Sequence, residues 1–342
     1  MDHVARPSSP HPRNARRPRP TLSGVRAVIQ ASIGDRLHAA GLDHEMQIVR
    51  GGRPVAPSSA TLREAFPRAK GRIAVWVHGL GVTETVWSFP GRPRTSYGSL
   101  LERDAGFTPV FLRYNTGRSI RDSGAEADAL LERLVASWPV PASQLVLVGY
   151  SMGGLVVRSA LQHGLGRSAR WVQLVRHTVH LGVPHLGSPL ERAGRVTTSL
   201  LKALPNHWTR LVGAVADLRS SGVKDLAHGD LMPNGTWVPL PAEGEHHAIV
   251  GTLHRDPQHL LSWFLGDGLV PVASARAQAY RGAAVFAPEH ITIVGGVGHL
   301  GLPRSRRVYP SILRAVTNRP ALQRPPEARP PGKQSRYPRS SP

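Results

Sequence analysis

Apolar runs and helical periodicities alternate along the middle of the chain. Residues 145–148 form a short apolar run without polar alternation, which is typical of a parallel strand covered on both faces. From Met152 onward, apolar residues recur at helical spacing. Further elements are predicted as strands at residues 72–77, 109–114, 176–183, 246–253 and 290–294, and as a helix at 122–138. This order predicts right-handed crossovers, a mainly parallel sheet and therefore an α/β fold.

A helical segment interrupts this alternation at about residues 189–232. Its apolar residues fall at steps of three and four, and Pro205 marks a break between two helices. Because the segment is inserted between two strands of the sheet, we expect it to cover the pocket as a lid. Packing into the core is the alternative interpretation of the same apolar positions.

The segment before the first central strand is predicted to contain one helix. Apolar residues recur at helical spacing from Ser23, a candidate N-cap, to Gly41, which can close the helix. We expect this helix and the rest of residues 21–70 to pack on a main domain of residues 71–318. A helix lying on a membrane surface is the alternative, but the polar face has no strong cationic stripe.

The two ends of the chain differ in composition from its centre. Residues 1–20 and 319–342 are rich in proline and arginine. They have too little apolar surface to bury, so both are predicted to be disordered tails outside the folded domain.

The chain of 342 residues has a formal net charge of +21, which first suggests nucleic-acid binding. Much of the excess lies in the two tails or is spread thinly, and only four of the 43 basic residues are lysines. An arginine-favouring genome accounts for part of such an excess without selection for a polyanion. We therefore expect no specific nucleic-acid partner, although the basic tails allow weak electrostatic association with anionic membranes.

Composition also excludes several classes of site. The chain has no cysteine, so a disulfide framework, a zinc thiolate site and a thiol nucleophile are excluded. The basic N-terminal residues are not followed by an apolar segment, so no secretory signal is predicted. No stretch of about 18 apolar residues predicts a membrane span. We expect a cytoplasmic protein.

A G-x-S-x-G motif stands where the strand at 145–148 meets the following helix. It comprises Gly149, Tyr150, Ser151, Met152 and Gly153. A sharp turn here presents the serine hydroxyl at the carboxyl end of the sheet, and glycines on either side let strand and helix approach closely. The N–H groups at the start of the helix favour negative charge at the same point. Ser151 is therefore the candidate nucleophile.

A serine nucleophile needs a base and an acid that orients the base. His299 follows the last predicted strand in a glycine-rich turn and is the candidate base. The weaker candidates are His246, His247, His254 and His290. Asp267, framed by glycines after the strand at 246–253, is the candidate acid, with Asp256 as its rival. An aspartate between glycines is also ordinary turn chemistry.

The oxyanion of such a site needs two backbone donors. The expected donors are the N–H of Met152 and the N–H of Leu80, in the loop after the strand at 72–77. His78 lies beside that loop and precedes the serine in sequence, so we interpret it as a residue that organises the loop and not as the base.

Together these motifs resemble the α/β-hydrolase superfamily, and in particular its bacterial lipase/esterase and inositol-deacylase-like branch. The resemblance covers residues 70–318 in order and rests on HGLG at 78–81, YNTG at 114–117, GYSMGGLVVR at 149–158, PHLGS at 184–188, GDGLVPVASA at 266–275 and His299. It implies an α/β-hydrolase fold, with a mainly parallel central sheet flanked by helices.

The resemblance also implies a reaction. It assigns Ser151, Asp267 and His299 as a catalytic triad, Leu80 and Met152 as the oxyanion hole, and ester hydrolysis through an acyl-enzyme with neither cofactor nor metal. The expected substrate is a small-molecule ester or lipid. Secreted lipases of this type differ from this chain in having a signal sequence and cysteines, and some have a calcium site. Within this branch, the chain therefore resembles an intracellular carboxylesterase more than a secreted lipase.

Two other functions fit the same sequence. An acyltransferase would use the same triad but pass the acyl group to an alcohol other than water. A non-catalytic basic binding protein would not react with serine probes, and its affinity for nucleic acid would depend steeply on salt.

Overall fold

The computed structural model describes residues 30, 34, 37–41, 43, 45–186, 220, 221, 225, 240, 244–277 and 286–317. An eight-stranded sheet forms the centre of the molecule, in the order β10-β9-β8-β7-β3-β6-β1-β2, and β4 and β5 form a separate hairpin. The strands are β1 (Gln47–Arg50), β2 (Arg53–Val55), β3 (Arg72–Val77), β4 (Ser88–Phe89), β5 (Arg92–Ser96), β6 (Thr108–Arg113), β7 (Gln144–Tyr150), β8 (Val175–Leu181), β9 (Glu245–Thr252) and β10 (Ile291–Gly295).

Six neighbouring strands of this sheet are parallel. From β10 through β9, β8, β7 and β3 to β6, every pairing is parallel, whereas β1 pairs antiparallel with both β6 and β2. The predicted α/β class and mainly parallel sheet are therefore confirmed. Because parallel strands end at the same edge, the segments that follow β3, β7, β9 and β10 meet there.

Helices cover both faces of the sheet. Within the described residues they are α1 (Ser59–Ala65), α2 (Tyr97–Ala105), α3 (Ile120–Ser137), α4 (Met152–Gly166), α5 (Arg170–Gln173), α6 (Leu260–Leu265), α7 (Val272–Ala275) and α8 (Tyr309–Thr317). In the same part of the chain, 3₁₀ segments span Glu84–Trp87, Pro288–His290 and His299–Arg304. In the described ranges, none of the helices combines the length and the apolar character needed to cross a bilayer.

Alternate residues of the central strands divide the core into two layers. Ile73 and Val75 of β3 pack in the layer that contains the apolar faces of α3 and α4. Trp76, between Val75 and Val77, points into the opposite layer with residues of α2 and α8. A fully buried aliphatic side chain such as Ile73 or Val75 contributes about 1.5–3 kcal/mol. Both faces of the central strands are thus buried, which makes the sheet a rigid base for the residues at its edge.

The helix that follows the serine is held by close contact with α3. Ser119 caps α3 by accepting a hydrogen bond from the N–H of Asp122, at 3.0 Å. A Cβ at Gly124 would lie 2.2 Å from Oγ of Ser159 in α4, so only glycine allows the two helices to approach so closely. α3 therefore supports the helix that begins beside Ser151.

The six predicted strands are present, whereas several other elements were not predicted. β3 has the predicted bounds, the other five strands differ by small shifts of their ends, and the helix predicted at 122–138 is α3. The β1–β2 pair, the β4–β5 hairpin and α2 were not predicted. β1 and β2 lie within residues 21–70 and extend the central sheet beyond β6.

Other predictions fall mostly on residues that the structure does not describe. Of the helix predicted at 23–41, the described residues 30, 34 and 37–39 are helical. The insertion at 189–232 lies outside the described residues apart from 220, 221 and 225. The tails at 1–20 and 319–342 lie outside them entirely.

Candidate active site

Ser151 occupies a strained turn between β7 and α4. Its backbone angles are φ 52° and ψ −126°, in a region that non-glycine residues rarely adopt. Its N–H donates to the carbonyl of Leu181, at 2.9 Å, which fixes the turn to the end of β8. The strained backbone presents the hydroxyl at the carboxyl edge of the sheet.

The glycines around the serine are required by space. A Cβ at Gly149 would lie 2.4 Å from Cα of Gly154, and one at Gly153 would lie 2.4 Å from the carbonyl oxygen of His78. Both distances are far shorter than any real Cβ contact. The strand, the turn and the helix can come this close only because neither residue has a side chain.

Three side chains that are distant in sequence meet at this edge. Oγ of Ser151 lies 3.0 Å from Nε2 of His299, and Nδ1 of the same ring lies 2.7 Å from Oδ2 of Asp267. A carboxylate only accepts, so Nδ1–H donates to Asp267, and Nε2 is left to accept from the serine hydroxyl. The three residues are 8%, 6% and 2% exposed, respectively. The structure thus brings together the three residues proposed from the sequence.

The two oxygens of Asp267 have different partners. Oδ1 accepts from the N–H groups of Leu269 (3.0 Å) and Val270 (2.9 Å), while Oδ2 faces the imidazole. The backbone carbonyl of Asp267 accepts from the N–H of His299 at 2.9 Å. The turn contacts and the contact with His299 therefore use different oxygens of the same carboxylate. The turn holds Oδ2 in place beside the imidazole.

The alternative candidates for the acid and the base contact other residues. Asp256 is exposed, and its Oδ1 accepts from the N–H of Gln258, at 2.9 Å. Nδ1 of His254 accepts from the N–H of Asp256, at 3.1 Å. Nδ1 of His246 lies 2.7 Å from Oγ1 of Thr178. The rings of His247 and His290 pack on each other, with centroids 4.4 Å apart.

The loop after β3 lies directly against the nucleophile. A Cβ at Gly79 would lie 3.0 Å from Cβ of Ser151, so the backbone that leads to Leu80 passes beside the hydroxyl. Met152 is the first residue of α4, and the first N–H groups of a helix have no partner within it. The two predicted donors are thus in segments that flank Ser151 on either side.

His78 is held as a neutral ring inside this loop. Its Nδ1–H donates to the carbonyl of Gly79, at 3.0 Å, and its Nε2 accepts from the N–H of Tyr114, at 3.4 Å. The hydroxyl of Tyr114 donates to the carbonyl of His78, at 2.9 Å. Burial lowers the pKa of His78 to about 4, so the ring is uncharged at neutral pH. These contacts are those of a residue that organises the loop.

The sheet order and this edge together decide the fold. A strained serine follows the central strand β7, an aspartate follows β9, a histidine follows β10, and five neighbouring pairs of strands are parallel. The fold is that of an α/β-hydrolase.

Comparisons with solved structures find distant likenesses to this chain. The Bacillus licheniformis lipase BlEst2 in mature form is 19% identical with a TM-score of 0.46, over 71% of this chain and 90% of that one. A Pyrococcus furiosus esterase is 15% identical with a TM-score of 0.43, over 68% and 75%. Phospholipase PlaB from Legionella pneumophila is 17% identical with a TM-score of 0.44, over 72% and 58%. No protein-family model and no curated protein matches the sequence.

Two residues whose roles the sequence analysis did not predict lie beside His299, the candidate base. The hydroxyl of Tyr150 donates to the carbonyl of His299, at 3.2 Å, and the two rings pack with centroids 5.1 Å apart. Burial raises the pKa of Tyr150, so its hydroxyl stays a donor. Gly182, with φ 56°, lies behind the pair of Asp267 and His299. Tyr150 stood within the serine motif, but its contact with a residue 149 positions away is visible only in the fold.

Replacing Gly182 by alanine is expected to lower kcat about 10- to 100-fold with little change in KM. The new Cβ would lie 2.9 Å from Oδ2 of Asp267, 3.3 Å from Nδ1 of His299 and 2.5 Å from Cδ1 of Leu302, so the carboxylate and the ring must shift. Steady-state kinetics on a p-nitrophenyl ester measure the effect.

The matched control is Gly166→Ala, since a Cβ there meets nothing within 4 Å. It should keep wild-type kinetics. An unchanged kcat in Gly182→Ala would show that the Asp267–His299 geometry tolerates displacement.

Proposed function

We propose that this protein is a serine hydrolase that cleaves carboxylic esters through an acyl-enzyme. The observation that carries the proposal is the continuous hydrogen-bonded chain from Ser151 through His299 to Asp267, which starts at a strained serine and is almost entirely buried. Each part has a chemical purpose: a hydroxyl to attack, a base to accept its proton and a carboxylate to stabilise the charged base.

Acylation begins when Oγ of Ser151 attacks the ester carbonyl carbon. Nε2 of His299 takes the hydroxyl proton, and Asp267 stabilises the imidazolium that forms. The carbonyl oxygen becomes an oxyanion, for which the N–H groups of Met152 and Leu80 are the proposed donors. Collapse of this intermediate breaks the bond to the alcohol, which leaves with the proton from His299. Ser151 then carries the acyl group as an ester.

Deacylation repeats these steps with water. His299 takes a proton from the attacking water, a second oxyanion forms beside the same two donors, and collapse releases the carboxylic acid and returns the proton to Ser151. No step needs a redox partner or a bound metal, since protons and electron pairs balance among substrate, water and the triad.

The substrate is proposed to have a hydrophobic acyl group. This part of the proposal comes from the apolar spacing of residues 189–232, the predicted lid. Placement in the inositol-deacylase-like branch stays a prediction.

The purified protein is expected to hydrolyse p-nitrophenyl esters and to bind one equivalent of a fluorophosphonate. A series of esters from acetate to palmitate would show which acyl lengths are preferred. Mass spectrometry of the digested adduct should find the label on the peptide that contains Ser151.

Absence of both turnover and labelling would contradict the proposal. If the ester is consumed and added alcohols become the main acyl acceptors, the same site functions as an acyltransferase, so product analysis belongs in the experiment.

A further inference from the structure

A second cluster of reactive side chains lies at the opposite edge of the sheet, near the amino ends of β8 and β9. His177 of β8 pairs in register with Glu245 of β9, and His247 lies two residues further along β9, on the same face as Glu245. Three residues of β8 lie between His177 and Leu181, whose carbonyl contacts Ser151. The four residue steps correspond to about 13 Å of extended strand. The cluster is therefore separate from the candidate active site.

Two of the three separations within this cluster match the spacing of metal ligands. Nδ1 of His177 and Nε2 of His247 each lie 3.4 Å from Oε2 of Glu245, and all three atoms lie within 4.8 Å of one another. Ligands about 2.0–2.1 Å from a tetrahedral zinc ion lie about 3.3–3.4 Å apart. A strong hydrogen bond between imidazole and carboxylate would instead be about 2.7–2.9 Å long.

The two ring nitrogens are also buried without a hydrogen-bond partner among the described residues. His247 is 8% exposed and its Nε2 is buried, so this nitrogen does not form a hydrogen bond with bulk water in place of a protein partner. Leaving a buried polar atom without a partner destabilises the folded protein, and a bound cation would remove this penalty.

We propose that His177, Glu245 and His247 form a zinc-binding site. Two imidazole nitrogens and one carboxylate oxygen are a donor set that suits Zn²⁺, with water as the fourth ligand. A cleft of about 410 Å³ lined by residues that include His177 and Glu245 supplies access from solvent. The guanidinium of Arg72, which also lines the cleft, donates to the side chain of Gln144 and the carbonyl of Ala105. This site departs from the sequence-based expectation of a protein without metal.

The ion would join the beginning of β9 to β8. Glu245 is the first residue of β9, and the preceding residues down to 226 are largely outside the described ranges, so the ion would fix the point at which the chain re-enters the sheet. Because the site lies far from Ser151 along β8, its contribution is to stability and not to chemistry. Zinc removal should therefore lower Tm while leaving ester hydrolysis at 25 °C unchanged.

The test is a titration of chelator-treated, dialysed full-length protein with ZnCl₂, followed by calorimetry. We expect one Zn²⁺ per chain and a rise in Tm of several degrees when Zn²⁺ is well above Kd. CoCl₂ in place of zinc should give the visible absorption of a four-coordinate site. Absence of stoichiometric binding of both ions would overturn the proposal, whether or not the protein hydrolyses esters.

Two variants identify the ligands. Glu245→Gln and His177→Gln should each weaken zinc binding at least tenfold, and the Glu245 side chain is 37% exposed, so Gln should be accommodated. His254→Gln, which changes an exposed histidine outside the cluster, should bind like wild type. If all three variants bind zinc like wild type, or if His254→Gln weakens binding as much as the others, the ion sits on other histidines and the proposal is wrong.

Discussion

Replacing Ser151 by alanine is expected to lower kcat/KM for p-nitrophenyl esters by about 10⁴- to 10⁶-fold and to abolish fluorophosphonate labelling. The variant has no atom that can form the acyl-enzyme, so only the backbone donors and substrate binding remain to promote attack by water. The fold should be unaffected, because the change removes one oxygen and leaves the Cβ in place. Initial rates, labelling and circular dichroism measure the three effects.

Ser143→Ala is the matched control for this variant. Ser143 is exposed just before β7, the strand that leads to Ser151. Activity and labelling should both stay at the wild-type level. If Ser151→Ala retained substantial labelling, another residue would be the nucleophile and the proposed mechanism would be wrong.

The Asp267→Asn variant is expected to lose about 10³- to 10⁴-fold in kcat at neutral pH. Oδ1 accepts from two backbone N–H groups, so the amide oxygen should keep that position and the NH₂ group should face Nδ1 of His299. Nδ1 must then accept, and the ring proton moves to Nε2, which faces Ser151. A ring protonated at Nε2 cannot take the serine proton. A kcat measurement tests this, with Tm to confirm folding.

Asp256→Asn separates the two acids considered from the sequence. Asp256 is exposed and contacts Gln258, so this variant should keep nearly normal activity. The opposite result, a severe loss in Asp256→Asn with a mild one in Asp267→Asn, would contradict the role proposed for Asp267.

The central strands and the edge residues were accessible from the sequence for one physical reason. A parallel strand buried on both faces must be apolar along its whole length, and this pattern is distinct in β3 and β7. Once a parallel sheet is inferred, residues just after different strands must lie near each other. Ser151, Asp267 and His299 could thus be grouped by position, and the structure places them within hydrogen-bond distance.

The outer elements gave weaker signals. β2 is mostly exposed and reads Arg-Pro-Val, which has no apolar alternation, and β5 contains two exposed arginines. α2 begins with a capping box from Ser96 to Ser99, but two serines without the usual Glu or Gln do not stand out in the sequence. Such elements are stabilised by contacts with the rest of the fold and not by a distinctive local sequence pattern.

Contacts that depend on register could not be foreseen at all. His177 and Glu245 are separated by 67 intervening residues, and only the pairing of β8 with β9 sets them opposite each other. Gly182 likewise gains its importance from the side chains that pack behind it. The pattern of apolar and polar residues along the sequence does not indicate which side chains contact His177 or Gly182.

The crowding around the serine turn limits how this protein could change its preferences over time. A Cβ added at Gly149, Gly153 or Gly154 would lie within 2.4 Å of another atom. Substitution of these glycines by any other residue is therefore not tolerated. New specificities, whether naturally selected or obtained in the laboratory, should therefore arise in the connections that leave the carboxyl ends of the neighbouring strands, while the turn itself is inherited unchanged.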